Sequence, residues 1–163
     1  MSHLEVTLEN GIATLTMNRP EARNALSMEM RSKLNDTLHD IENDSTVRCV
    51  VLKGAGEHFM AGGDVKGMGE SIKKSSAEIR KEFMLRIHDL HPIMFAMRRM
   101  PKPIIASCRG AAAGAGVSFA LACDLVIAAE DAFFTLAYCK IGTSPDGSSS
   151  FHLPRAVGIK KAM

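Results

Sequence analysis

At 163 residues, 46% of them hydrophobic, the chain is long enough for one domain with a buried core, residues 1–163. A formal net charge of +2 is too small to mark a binder of nucleic acid or of an anionic membrane. No uncharged apolar run reaches the ~18 residues of a membrane span, and the opening MSHLEVTLE lacks an apolar signal region.

Leu4, Val6 and Leu8 alternate with polar residues and predict a half-buried strand. Asn10-Gly11 is a hairpin turn signal, and Ala13, Leu15 and Met17 continue as the partner strand. A polar loop, Asn18-Arg-Pro-Glu-Ala-Arg-Asn-Ala-Leu26, follows. Ser27 is a helix cap, ahead of an apolar stripe of Met30, Leu34, Leu38 and Ile41. Val47–Leu52 reads as a buried strand and runs into a glycine-rich loop, Gly54–Asp64. Ser75 and Glu78 form a capping box before a long helix with the stripe Ile79, Phe83, Ile87, Leu90, Met94 and Met97. Pro101 and Pro103 stop it.

Ile104–Ser107 is strand-like and gives way to Gly110-Ala-Ala-Ala-Gly-Ala-Gly116, read as a loop, then a short apolar helix over Gly116–Ala122. Leu125–Ala129 and Ala132–Thr135 read as strands around the Glu130-Asp131 turn. The last loop, Ile141-Gly-Thr-Ser-Pro-Asp-Gly147, enters an amphipathic helix predicted to run from Phe151 to Met163.

Twice, then, a buried strand ends in a glycine-rich loop heading for a helix. Between Gly110 and Gly116 no side chain donates a hydrogen bond or carries charge, so the loop acts through its backbone or merely packs closely. The first N–H groups of a helix have no partner within it, and the helix dipole favours negative charge there. Two such corners side by side can each aim one N–H at a carbonyl oxygen that becomes negative during reaction. Nucleotide-binding loops are excluded: neither loop carries GK[S/T], and Gly54-Ala-Gly56 and Gly114-Ala-Gly116 lack the third glycine of a dinucleotide fingerprint. Ser118 misses the second glycine of a nucleophile elbow. Cys49, Cys108, Cys123 and Cys139 have no metal spacing and read as thiols of a reducing cytoplasm. His88 and His91 lack a third ligand, so no metal site is expected. Pro145-Asp146-Gly147 is an ordinary turn sequence and Asp before a helix an ordinary cap, so the residues alone leave Asp146 open between turn, cap and catalytic acid.

Three stretches in this order and spacing, Asn18–Leu26, Phe59-Met-Ala-Gly-Gly-Asp-Val-Lys66 and Pro103–Asp124, resemble the enoyl-CoA hydratase/isomerase (crotonase) superfamily. The resemblance implies an α/β fold, a crotonase-like (ClpP/crotonase) spiral of ββα units, that binds an acyl-CoA thioester. Coenzyme A is then part of the substrate, and no separate cofactor is implied. Carried over by position, the N–H groups of Ala61 and Ala115 form the oxyanion hole. The backbone of Arg23–Ala25 and of Ala61, Gly62, Gly63, Asp64 and Val65 holds the substrate, with Gly114 and Tyr138 beside it. Lys66 is a candidate for the CoA phosphates.

Hydratases of this family use two glutamates, and here those positions are Ser118 and Tyr138, which disfavours addition of water. Isomerases of the family carry a single acid where Asp146 stands, and one carboxylate suffices to move a double bond. The expected activity is therefore Δ3–Δ2 enoyl-CoA isomerisation. The alternatives are an aryl-CoA dehalogenase, in which Asp146 is a nucleophile near His91, a hydratase, or a non-catalytic acyl-CoA-binding module. Family members continue past the equivalent of Met163 with helices that complete the acyl pocket and the trimer interface. The resemblance thus implies a spiral lacking its C-terminal helical region, and a homotrimer or dimer of trimers where that region is present.

Overall fold

A computed structural model describes residues 2–65 and 74–163. The chain opens with an antiparallel hairpin, β1 (Leu4–Glu9) and β2 (Ile12–Met17), with Leu4 opposite Met17. Its turn places Asn10 at φ 52° and Gly11 at φ 80°, the left-handed pair that an Asn-Gly hairpin requires. Ala13, Leu15 and Met17 are buried as the alternation predicts. Val6 and Leu8 are not: they are 47% and 49% exposed. β1 is the edge of the sheet, and only Leu4 is covered, at the end where the His3 N–H donates to Glu29 (3.1 Å).

Beyond the hairpin the sheet is parallel. β3 (Cys49–Gly54), β4 (Ile104–Cys108) and β6 (Leu125–Ala128) extend it in the order β1-β2-β3-β4-β6. A second, two-stranded parallel sheet joins β5 (Ala111–Ala113) to β7 (Phe133–Thr135). β5 lies within the run read as a loop. Alanine carries no strong strand preference, so only its pairing with β7 and the bridge from Ala112 to Met60 reveals the strand. β6 is exposed along its length despite being apolar, with Ile127 63% accessible.

Helix α1 (Met28–Asn43) is capped as expected, the Met30 N–H donating to Ser27 Oγ at 3.1 Å, and its stripe of Met30, Leu34, Leu38 and Ile41 is buried. Helix α2 (Ser76–Arg99) starts at the Ser75–Glu78 capping box and ends before Pro101. Only its second half, with Leu90, Ile93, Met94 and Met97, joins the core. Ile79, Phe83 and Ile87 are half-buried. α3 (Ala115–Ala122) follows β5, and Asp124 after it does not cap the helix: its Oδ2 accepts from the Ile104 N–H at 2.8 Å, holding the start of β4. The closing helix is shorter than expected. α4 (Ser149–Val157) breaks at Gly158, whose φ of 82° is outside the helical range, and only α5 (Ile159–Ala162) follows.

Asn24 links the first loop to the second. It is fully buried, its Oδ1 accepting from the Arg19 N–H (2.9 Å) and its Nδ2 donating to the carbonyls of Ala55 (2.9 Å) and His58 (2.7 Å). Arg19 in turn donates through Nη1 to Ala25 O (2.8 Å) and to Asp64 Oδ2 (3.1 Å). Replacing Asn24 with Ala removes the partner of three partly buried backbone groups, at about 1 kcal/mol for each lost bond. Urea unfolding of Asn24→Ala should show a loss of about 2–4 kcal/mol at unchanged m-value. A loss below about 0.5 kcal/mol would show that the loops are joined by something else.

Candidate active site

The two glycine corners meet. A β-carbon on Gly62 would lie 2.9 Å from Ala113 O and 3.5 Å from Ala115 N, and Gly62 already sits at φ 93°. Only glycine allows this approach. The corners border a cavity of about 730 Å³, to which Gly62, Gly63, Gly114 and Ala115 all contribute.

The donors in this corner are not the expected pair. The Ala61 N–H is occupied, donating to Arg23 O at 2.9 Å, because this segment runs alongside the first loop. The next link of that pairing uses Gly62 O, which accepts from the Leu26 N–H at 2.8 Å. Gly63 follows, and its N–H has no acceptor among the described residues. Ala115 heads α3, so its N–H has no partner inside the helix and none elsewhere among those residues. Gly63 and Ala115 thus carry unsatisfied N–H donors on the cavity wall, as does the intervening corner residue Gly62, whereas the Ala61 N–H is taken.

Asp146 also lines the cavity. Its Oδ1 accepts from Tyr138 Oη at 2.7 Å. Its carbonyl accepts from Ser118 Oγ (2.9 Å), Ser149 Oγ (2.9 Å) and the Ser149 N–H (3.1 Å). The carboxylate does not cap α4, whose N-cap is Ser148 at φ 63°, with no side-chain capping bond. Ser118 is fully buried, 3.4 Å from Tyr138 Oη. Ser118, Tyr138 and Asp146 thus form one cluster, brought together from α3, the 3₁₀ turn Tyr138–Ile141 and the loop before α4. Gly147 lies directly on Ser118; a β-carbon there would fall 2.8 Å from Ser118 Cβ.

Burial pushes the Tyr138 phenol up to about 12, with the Asp146 carboxylate adding to the rise and the Ser118 bond opposing it. The tyrosine is thus a neutral donor at ordinary pH. Burial also raises the Cys108 thiol, to about 11, and lifts that of Cys123, so neither is a ready nucleophile.

The other expected residues divide. Ala61, Gly62, Gly63, Val65, Gly114, Ala115 and Tyr138 line the cavity, as does His91. Arg23 is exposed, Ala25 is buried, and neither is a cavity residue. Asp64 also lies off the cavity wall, its carboxylate bound to Arg19. Lys66 lies outside the described residues. No group of three or more His, Cys, Asp or Glu suited to a metal occurs among the described residues, and none of their helices is long and apolar enough to cross a membrane.

A sequence profile of the enoyl-CoA hydratase/isomerase family matches residues 7–163. The chain belongs to that family. It is 38% identical over 156 residues to the 1,2-epoxyphenylacetyl-CoA isomerase of Escherichia coli (strain K12), covering 96% of this chain and 58% of that protein. It is 36% identical over 161 residues to 4-chlorobenzoyl coenzyme A dehalogenase-2 of Arthrobacter sp, covering 99% of this chain and 57% of the relative. The crystal structure of an enoyl-CoA hydratase from Polaromonas sp. JS666 superposes with a TM-score of 0.88 at 38% identity, covering 98% of this chain and 60% of the other. The fold is therefore the α/β crotonase-like fold, and the chain spans a little under two thirds of the length of these relatives.

In this member of the hydratase/isomerase family, sequence reasoning missed two features. Gly63 rather than Ala61 presents the free N–H, because the pairing between the first and second loops is a tertiary contact. Arg31 and Arg86 both line the cavity, with no sequence signal beyond their places on helices.

Tyr138 is the chain's sole tyrosine, and there is no tryptophan, so absorbance at 295 nm reports it directly. Spectrophotometric titration of the folded protein should show a midpoint near 12, falling on unfolding toward the ordinary ~10. The raised value means the folded state holds its proton more tightly. The resulting stabilisation is complete below pH ~10 and is lost as the pH climbs toward about 12. In Asp146→Asn the midpoint should drop, since the carboxylate contributes to the rise. An unchanged midpoint would place the tyrosine away from Asp146.

Proposed function

We propose that the protein is an enoyl-CoA isomerase that moves a double bond along an acyl-CoA thioester, with Asp146 as its single proton carrier. The observation that carries this reading is that Asp146 is the one carboxylate lining the cavity among the described residues. The corner of Gly63 and Ala115 N–H groups supports it as an oxyanion hole for the thioester oxygen.

In this mechanism Asp146 takes a proton from the carbon next to the thioester of a 3-enoyl substrate. The electrons of that C–H bond move onto the thioester oxygen, giving an enolate held by the two N–H groups. The electrons then return through the carbon chain, the double bond forms next to the thioester, and Asp146 delivers its proton two carbons further along. Nothing is oxidised or reduced, and no cofactor is required. Tyr138 Oη holds the carboxylate in place between the two transfers.

Hydration is opposed by the packing at Ser118. With Gly147 and the Asp146 carbonyl seated on that serine, a longer acid has no space there without displacing the Asp146 loop. The presence of His91 in the cavity keeps a second reading, attack of Asp146 on a haloaryl-CoA ring. Likeness to the Arthrobacter dehalogenase supports that alternative.

Asp146→Asn should retain CoA-thioester binding and abolish formation of conjugated thioester from a 3-enoyl-CoA. In deuterated water the native protein should place deuterium in substrate and product, and the variant should place none. Consumption of a halobenzoyl-CoA with a trappable aryl ester on Asp146 would instead establish the second reading. A fully active Asp146→Asn variant would remove the residue from the chemistry.

The oxyanion corner is tested at Ala115. Proline is tolerated at the first position of a helix and removes the N–H. Turnover of Ala115→Pro should fall on the order of 10²–10³-fold, as when one such donor is lost elsewhere. Ala115→Ser keeps the N–H and should retain most activity. A folded proline variant with native turnover would exclude the assignment.

A further inference from the structure

Arg31, on α1, is 8% exposed, yet it lines the cavity. Its Nη1 donates to the backbone carbonyl of Arg86 on α2 at 2.6 Å, while its buried Nε has no partner among the described residues. Arg86 lines the same cavity, and its side chain makes no hydrogen bond or ion pair among those residues. Phe83, Ile87 and Leu90 of α2 line the same cavity and give it apolar wall.

A buried charge without a counterion is costly and is ordinarily paired. Burial does pull the Arg31 pKa below the usual arginine value, with Arg86 pushing the same way. Asp146 and Asp89 favour its charged form but neither makes an ion pair with it. Arginine stays protonated regardless. The cavity therefore holds three cationic side chains, Arg31 and Arg86 from the helices and Lys140 from the 3₁₀ turn, against one acid, which the proposed chemistry already employs.

We infer that Arg31 and Arg86 recognise an anionic group carried by the acyl chain, so that the substrate is a CoA thioester with an apolar segment ending in a carboxylate or similar anion. The inference rests on the acyl-CoA reading above and names its substrate class. Arginine is suited to the role because its planar fork meets a carboxylate through paired N–H donors.

The test is binding of saturated thioesters, which need no turnover. Calorimetry would compare a neutral acyl-CoA with an ω-carboxyacyl-CoA of equal chain length, and then the same pair as N-acetylcysteamine thioesters, which lack every phosphate. The carboxylate form should bind about 10–100-fold more tightly in both series, the range for a charge-assisted hydrogen bond. In Arg31→Gln, and independently in Arg86→Gln, the preference should fall toward unity. The second variant disturbs no side-chain hydrogen bond, so it keeps the test open if the first fails to fold.

Absence of any preference in the native protein would overturn the inference while leaving the isomerase reading intact. Equal weakening of neutral and carboxylate CoA thioesters, with N-acetylcysteamine thioesters unaffected, would assign the arginines to CoA phosphates and overturn it likewise. Failure of every CoA thioester to bind would remove the acyl-CoA reading itself, and the inference with it.

Discussion

The constraint on which this structure depends is a backbone contact between two chain corners. At Gly62 the second loop lies against Ala113 and Ala115 so closely that no β-carbon fits. The contact leaves the N–H groups of Gly63 and Ala115 on one cavity wall. It also requires that the second loop be held from behind. Asn24 and the Arg19–Asp64 pair do this, the first through neutral amide hydrogen bonds and the second through a charge-assisted one. A polar loop that does not line this cavity thereby governs the geometry of one that does.

A second constraint selects among the chemistries open to the fold. Ser118 is small, so Gly147 can rest on it and Asp146 can hang its carbonyl from the serine hydroxyl. A carboxylate arriving from the loop before α4 and one arriving from α3 would compete for the same space. On the proposed reading, one-acid and two-acid arrangements are alternative packings, with the size of residue 118 biasing which one forms. Chemistry here follows from volume as much as from charge.

Much of the architecture was legible because it is written locally. The Asn10-Gly11 turn, the Ser27 and Ser75 caps and the stripe of α1 depend on residues near one another, and each formed as its pattern predicts. What escaped depends on partners far along the chain. β5 exists through pairing with β7, and the Ala61 N–H is withdrawn by Arg23, 38 positions earlier by subtraction of residue numbers. Phe83 and Ile87 carry a core-like periodicity but face a cavity, since a stripe says where apolar surface lies and not whether protein covers it. Arg31 falls beside the buried stripe of α1, where nothing in the spacing separates a solvated cation from a buried one.

The loop that carries Asp146 separates its architecture from its chemistry. Ala137 and Ser148, at φ 56° and 63°, are left-handed without being glycine, an arrangement that persists only when surrounding contacts enforce it. Those contacts are made by the backbone: Ser118 and Ser149 hold the Asp146 carbonyl, and the Thr143 N–H donates to Tyr138 O at 3.1 Å. The carboxylate takes part in one further bond, from Tyr138 Oη. Changing the side chain at 146 therefore removes an acid without removing the loop's anchors. Changing Ser118 does the opposite, disturbing the anchor while leaving the acid in the sequence. A loop fixed through its main chain can tolerate exchange of the side chain it presents, which on the proposed reading is how neighbouring chemistries share one fold.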